Sequence, residues 1–304
     1  MASELNDKFW KPLCSVVESV RKFAYAAPLR SRARKPVRQR SRIGLALSGG
    51  FAHGLAHLGV LKVLREYHIP IDALAGTSVG SVVAAAYASG CPLDQMIEEA
   101  RKVRWKTFGR WTVSKLGLAT NERMEAMLAR VLRCPRFEEL PISLAVVAAD
   151  LSTGEAVTFR QGDLVPPVRA SCSFPGLLVP VEYEGRLLVD GAIVAGVPVE
   201  ALEGMDVDRI IAVHLNSGSS RQEPKNIFQV IGQAFQIAEG LNQATWREHC
   251  DVVIEPDVSQ VRWDEFQRAD ELIQAGEMAA RRHESELRAL VQPSGSVRDA
   301  IPAR

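Results

Sequence analysis

Two glycine turns, each following an apolar run and opening onto a helical one, carry the residues of this sequence best suited to acyl transfer. The later turn is Gly76-Thr77-Ser78-Val79-Gly80, after Ile71-Asp72-Ala73-Leu74-Ala75. Its glycines let a strand reverse sharply into a helix, and a serine at the apex has its hydroxyl lifted clear of the backbone, as in a nucleophile elbow. The run Val82-Val83-Ala84-Ala85-Ala86-Tyr87-Ala88 that follows is small and apolar, suited to a helix lying flat on a sheet. Gly-x-Ser-x-Gly also fits a serine N-cap in an ordinary βα turn. The earlier turn, Ser48-Gly49-Gly50-Phe51-Ala52-His53-Gly54 after Ile43-Gly44-Leu45-Ala46-Leu47, offers unpaired backbone N–H groups at a helix start, where an oxyanion could be held.

These residues resemble the patatin-like phospholipases, and the likeness covers most of residues 43 to 290. Members of that family read Gly-Gly-Gly-x-Arg-Gly at the oxyanion turn, Gly-x-Ser-x-Gly at the nucleophile, and Asp-Gly-Gly or Asp-Gly-Ala later in the chain. The third motif is here Asp190-Gly191-Ala192, preceded by the strand-like Arg186-Leu187-Leu188-Val189. Leu47 to Gly50, Ala56 to Leu61 and Ala170 to Gly176 are similar to family text as well. The resemblance implies a three-layer α/β/α sandwich on a mostly parallel sheet, and a serine–aspartate dyad working without histidine, metal or cofactor. It implies fatty-acyl esters of membrane phospholipids or lysophospholipids as substrates. Ser78 would be the nucleophile and Asp190 the general base, with backbone N–H groups of Gly49, Gly50 and Phe51 as oxyanion hole. Gly76, Gly80, Gly191 and Ala192 would shape the turns. A carboxylate bonded directly to a serine hydroxyl can take its proton if burial keeps it basic enough. Attack on the ester would form an acyl-enzyme, and water activated by the same aspartate would release the fatty acid.

Three positions depart from the family pattern. Phe51 stands at the third glycine of the oxyanion turn and His53 at its arginine. A backbone N–H survives any side chain, so the hole can form, but Phe51 does not easily take the positive φ open to glycine, and its ring is expected to line the acyl cleft. His53 would carry charge near the site only at mildly acidic pH. Relatives place asparagine just before the proline of Val194-Ala195-Gly196-Val197-Pro198, where this chain has none. Two rival readings remain open on sequence. One is an α/β-hydrolase triad in which His214 is the base, in the order serine, aspartate, histidine. The other is a catalytically weak lipid-binding regulatory protein, supported by Phe51, His53 and Ala195.

The elements that must position these groups follow from alternating apolar strands and helical stretches, which argue for an α/β fold with helices on both faces of a sheet. Strands are expected near Ile43 to Leu47, Ala73 to Ala75, Ile142 to Ala149, Ala156 to Phe159, Arg186 to Val189, Arg209 to His214 and Val252 to Ile254. Helices are expected over Gly54 to Tyr67, Val79 to Ser89, Leu93 to Val103, Asn121 to Leu132, Val199 to Glu203, Ile227 to His249 and Asp264 to Leu290. Asp150 to Gly154 reads as a tight hairpin turn with Asp150 in a structural role. Trp105 to Leu118 mixes aromatics with cations. It reads as a lid or membrane-touching flap, or, in preference, as a loop packing its tryptophans on the core, because tryptophan is usually largely buried.

The chain's 304 residues are 47% apolar, enough for a large core, and Lys plus Arg at 37 against Asp plus Glu at 36 leaves no global field that favours nucleic acid. Cys14, Cys91, Cys134, Cys172 and Cys250 are scattered without metal-ligand spacing, as expected of reduced cytosolic thiols. The first residues do not read as a secretory signal, and no apolar run approaches the ~18 residues that span a bilayer, so a cytoplasmic location is expected. Charge is unevenly placed: Arg30, Arg32, Arg34, Lys35, Arg38, Arg40 and Arg42 occur with no acid among them. Ahead of them Trp10, Leu13, Val17, Val20 and Phe23 or Ala24 recur at helical spacing. Residues 10 to 42 therefore read as a peripheral anchor for an anionic membrane, or as a packed helix with a solvated linker. The expected organisation is an amphipathic helix and basic arm over 1–42, a catalytic domain over 43–291 and a disordered tail over 292–304. Nothing in the sequence sets the oligomeric state.

Overall fold

The computed structural model describes residues 40–112, 114–215, 230–233, 237 and 245–291. The amphipathic helix, most of the basic arm and the tail after 291 lie outside the described residues. Eleven strands occur among them: β1 (Ile43–Leu47), β2 (Ala73–Thr77), β3 (Arg110–Trp111), β4 (Gly117–Thr120), β5 (Ser143–Asp150), β6 (Ala156–Phe159), β7 (Gly176–Leu178), β8 (Val181–Tyr183), β9 (Arg186–Asp190), β10 (Arg209–Val213) and β11 (Val252–Ile254). The main sheet runs β11-β10-β1-β2-β5-β9-β8, with β6 pairing β5 off this path. Its first five strands are parallel, and β6, β9 and β8 are added antiparallel. Every residue of β1 and β2 is buried, as in parallel strands covered on both faces.

This register gathers the chemistry at one end of the sheet. Leu47 pairs with Gly76, so the two glycine turns leave neighbouring strands side by side at their carboxyl ends, where open α/β sheets bind ligands. Thr77 pairs with Val147 of β5, and Ala148 pairs with Asp190. Because β9 runs antiparallel, its last residue arrives level with the turn after β2. Three glycines permit the approach. A Cβ on Gly76 would lie 2.5 Å from Ser81 Cα, one on Gly80 2.3 Å from the Leu47 carbonyl, and one on Gly191 2.3 Å from the Val147 carbonyl.

Covering one face, the helix Ala56–Glu66 crosses the helix Ala269–Arg282 at a pair of facing glycines. A Cβ on Gly59 would stand 1.9 Å from the Ile273 carbonyl oxygen, and one on Gly276 1.9 Å from that of Ala56. The helix expected over Asp264 to Leu290 is a 3-10 turn, Phe266–Arg268, followed by two helices that break at His283, whose φ and ψ of −102° and 20° leave the helical region. Val199 to Glu203 tightens to a 3-10 turn, Glu200–Leu202. Of the span expected as helix over Ile227 to His249, the described parts at 230–233 and 245–247 are helical.

Several elements were not read from sequence. The helix Val165–Ser171 carries Pro166 and Pro167 in its first turn, which suit that place because their missing N–H groups would have no partner there. A second sheet, β3-β4-β7, and strand β8 are too short to show a period. Asp150 closes the β5–β6 hairpin by accepting the Ser152 N–H at 2.9 Å. The last cations of the basic arm are held by the domain: Arg40 forms two hydrogen bonds to Asp72 at 2.7 and 2.8 Å, and Arg42 approaches Asp206 at 3.7 Å. Among the described residues no helix is long and apolar enough to cross a membrane.

Candidate active site

Ser78 links β2 to the helix Val79–Ala88 at φ 53° and ψ −130°, a region that costs an L-residue about 1–3 kcal/mol. Hydrogen bonds hold it there. The Ser78 N–H donates to Ser171 Oγ at 2.8 Å, Ser171 Oγ donates to the Val147 carbonyl at 2.6 Å, and Ser81 Oγ donates to the Ser78 carbonyl at 2.6 Å. Ser78 Oγ donates to Asp190 Oδ2 at 2.7 Å. The other carboxylate oxygen, Oδ1, accepts the Ala192 N–H at 2.9 Å, while the Asp190 N–H donates to the Ser173 carbonyl at 3.0 Å. The carboxylate is thus pinned on one side and faces the hydroxyl with the other, in surroundings where Asp190 is 2% exposed.

In the first turn the expected donors divide. The Gly49 N–H donates to the Gly196 carbonyl at 3.2 Å, whereas among the described residues no acceptor faces the N–H of Gly50 or Phe51. Gly49 matters instead for space: a Cβ there would lie 3.3 Å from Ser78 Cβ and 4.0 Å from Ser78 Oγ. Phe51 does adopt a positive φ, 50°, contrary to the sequence expectation. That conformation costs about 1–2 kcal/mol. Its ring packs edge-on against Phe174 and Trp263, centroids 5.1 and 4.9 Å away, and such pairs each contribute roughly 0.5–1.5 kcal/mol beyond area burial, which offsets the strain.

A cavity of about 120 Å³ opens beside Ser78, with Phe51 in its wall as expected. Val79, Val82, Val83 and Ala86 line it at helical spacing, so it follows one stripe of the helix Val79–Ala88 away from the hydroxyl. Met96 and Ala100 face it from the helix Leu93–Lys102 and Val103 from just beyond that helix, and Met124, Met127 and Val131 from the helix Arg123–Val131. Its one ionised lining residue, Glu99, is bound by Lys102 at 2.9 Å and Arg130 at 2.8 Å, and these hydrogen bonds hold its carboxyl below the usual range. Cys172 also lines the cavity. Burial, and then the charge of Asp190, push its thiol well up, so it stays protonated and unreactive beside the serine.

The histidines do other work. His53 is 4% exposed and its Nε2 lies 2.6 Å from the Val261 carbonyl, so it packs the turn from behind, and burial lowers its pKa; no charge near the site comes from it. His57 is fully buried, with Nε2 2.9 Å from the Ser48 carbonyl, and burial lowers its pKa to about 4. Neutral and protonated on Nε2, it fastens the first turn to its helix. A triad would need a histidine between hydroxyl and carboxylate, and the direct 2.7 Å contact leaves no place for one. His214 Nδ1 instead lies 3.0 Å from Glu255 Oε1. Sequence reasoning missed Ser171, Ser81 and His57, since a serine that orients backbone looks like any other in one sequence. The small polar run Ser171-Cys172-Ser173 ahead of Phe174-Pro175-Gly176 was the one available signal.

The model of the patatin-like phospholipase family matches residues 45–203. An uncharacterized NTE family protein of Mycobacterium tuberculosis is 36% identical over 61% of this chain and 53% of its own length. Lysophospholipase nte1 of Aspergillus fumigatus is 30% identical over 58% of this chain and 12% of its own length. The chain spans about half the length of the mycobacterial relatives, at 53% and 46%, and a smaller share of the fungal one. Among solved structures, VipD from Legionella pneumophila is similar at a TM-score of 0.49 and 12% identity, covering 90% of this chain and 73% of that one.

Proposed function

Because the chain belongs to the patatin-like phospholipase family, we propose that it is a serine acylhydrolase of phospholipase A or lysophospholipase type, working through a Ser78–Asp190 dyad. The observation that carries this reading is the 2.7 Å hydrogen bond from Ser78 Oγ to a carboxylate whose other oxygen is already bound. Asp190 Oδ2 takes the hydroxyl proton as Ser78 Oγ bonds to the ester carbonyl carbon. The oxyanion that forms accepts from the N–H groups of Gly50 and Phe51, and losing such a donor typically costs about 2.7–4 kcal/mol. As the tetrahedral adduct collapses, the C–O bond to the alcohol breaks and the leaving oxygen takes the proton from Asp190. Water, deprotonated by the same carboxylate, then attacks the acyl carbon; the bond from that carbon to Ser78 Oγ breaks, Oγ recovers the proton from Asp190, and the fatty acid leaves.

The cavity favours a fatty-acyl substrate for a separate reason. Apart from Ser78 and the clamped Glu99, its wall is formed by hydrocarbon, sulfur and glycine-free backbone of apolar residues, and each methylene buried there contributes about 0.8 kcal/mol. The name of the Aspergillus relative, a lysophospholipase, points the same way. An untargeted lipid digest by wild type and by S78A, compared by mass spectrometry, tests the reading. Free fatty acid and a deacylated lipid should accumulate with wild type alone, and a fluorophosphonate should label wild type and not S78A. Equal products from both proteins would refute it.

A further inference from the structure

Three of the exposed large apolar side chains fall within one short hairpin: Trp111 at 65%, Leu116 at 57% and Leu118 at 44%. The hairpin is β3 and β4, paired antiparallel with Arg110 opposite Thr120 and Trp111 opposite Ala119. The tryptophans of this stretch, expected to pack on the core, divide. Trp105 is half-buried against Gly109 and the small core, whereas Trp111 touches Trp105 at 6.0 Å between centroids and otherwise projects outward.

The hairpin is continuous with the wall of the cavity. Strand β4 pairs in parallel with β7, Ala119 lying opposite Leu178, and Leu178 lines the cavity. Ala119 belongs to a cluster with Phe174, Leu177 and Leu178 on which Phe51 also packs. The exposed residues therefore belong to strands joined to the cavity wall through the β4–β7 pairing. Lys106 and Lys115 flank them, both exposed, and neither meets a carboxylate among the described residues. Arg110 is paired with Glu122 at 2.9 Å, so the free charge of the hairpin is positive.

We propose that the β3–β4 hairpin docks this protein on an anionic lipid surface, with Trp111, Leu116 and Leu118 entering the acyl region and Lys106 and Lys115 meeting headgroups. Two features select a membrane over a protein groove. Trp111 shares a face with its cross-strand partner Ala119, and Leu118, one residue away, points to the opposite face. A groove takes one face of a strand pair, while a fluid hydrocarbon layer wets both. An exposed tryptophan beside lysines is also the composition of a membrane interface, where an amphipathic ring sits at headgroup level and ammonium groups reach outward. The proposal deepens the acylhydrolase reading by placing the cavity's wall against the phase that holds the lipid.

The test uses the full chain in an S78A background, so that lipid is not consumed. S78A and S78A carrying W111S, L116S and L118S are sedimented with phosphatidylcholine vesicles with and without phosphatidylserine, at low and high salt. The triple substitution should lower the vesicle partition coefficient at least about tenfold on either composition. K106E with K115E should lower it on phosphatidylserine vesicles and leave it unchanged on neutral ones, with the effect lost in high salt. All five side chains are exposed, so thermal midpoints should stay close to the parent and exclude misfolding. Unchanged partitioning of the triple variant overturns the proposal, as does a parent that pellets with neither vesicle. A concentration-dependent dimer lost in the triple variant, with vesicle binding intact, would assign the face to a second copy and overturn it too. With Ser78 restored, the triple variant should cleave a soluble short-chain ester like wild type while vesicle hydrolysis falls. Absence of any ester cleavage by wild type would defeat the acylhydrolase reading, and sedimentation would still decide the docking.

Discussion

At the residue scale the proposed chemistry depends on one proton. Asp190 touches Ser78 Oγ directly, so replacing its carboxylate by an amide keeps the shape and the Ala192 contact but removes the acceptor. D190N should reduce kcat by roughly 10²- to 10⁴-fold on a short-chain ester, with circular dichroism and thermal midpoint little changed. If the variant kept more than about a tenth of the wild-type rate, Asp190 would not be the base. The same scale shows why His53 can replace an arginine without putting a charge into the site: its Nε2 is engaged with Val261 and the imidazole is buried.

Two elements can be tested by size alone. Ala86 lies seven residues after Val79 on the stripe lining the cavity, about 10 Å farther along the helix axis. A zigzag chain of C–C bonds near 1.5 Å advances roughly 1.25 Å per carbon, so an acyl group longer than about eight carbons should reach that level. Ala86→Phe should therefore lower kcat/KM for a sixteen-carbon ester by about tenfold or more and leave a four-carbon ester nearly unaffected. A uniform loss on both esters would mean that the acyl chain runs elsewhere. The helix crossing at Gly59 and Gly276 is equally strict, because a Cβ at either position would enter backbone that cannot rotate away. Gly59→Ala gains helix propensity of about 1 kcal/mol but must push the helices apart, and overpacking costs about 1–3 kcal/mol or more. A net loss of stability is expected in denaturant titration; a midpoint at or above wild type would show that the crossing relaxes freely.

For the whole molecule, His57 couples stability to pH. The ordinary histidine value of 6.5 is lowered by burial to about 4 in the folded chain, with the Ser48 carbonyl opposing the change. Between those values the unfolded chain binds a proton that the native state refuses. Stability from this group is complete above pH 6.5 and declines as pH falls toward 4, by ~3 kcal/mol in all. Calorimetric midpoints should therefore drop more steeply from pH 6.5 to 4 in wild type than in His57→Gln, whose side chain does not titrate. Parallel curves would show that His57 is not the group responsible. Arg40 and Arg42 have carboxylate partners on the domain, with side chains 43% and 36% exposed; such surface pairs stabilise by at most about 1 kcal/mol.

The sequence by itself determined the parts that are local. Gly76-Thr77-Ser78-Val79-Gly80 forces a sharp turn because only glycine admits backbone at 2.3 to 2.5 Å from its Cβ position, and fully apolar runs such as Ile43 to Leu47 become strands buried on both faces. The order of the three motifs was legible for the same reason, as was the hairpin turn at Asp150. Only tertiary structure decided what depends on register between distant strands. Asp190 reaches Ser78 because Ala148 and Val147 of β5 sit between β9 and β2, a relation across 112 positions of sequence that no periodicity records. It also decided that Gly49 spends its N–H on Gly196, that Ser171 and His57 hold the turns, that Phe51 accepts a positive φ between two aromatic rings, and that Trp111 stays exposed while Trp105 is half-buried. Each of these turns on a partner supplied by a remote segment, and a hydrogen bond or ring contact between remote segments leaves no mark on the local pattern of either.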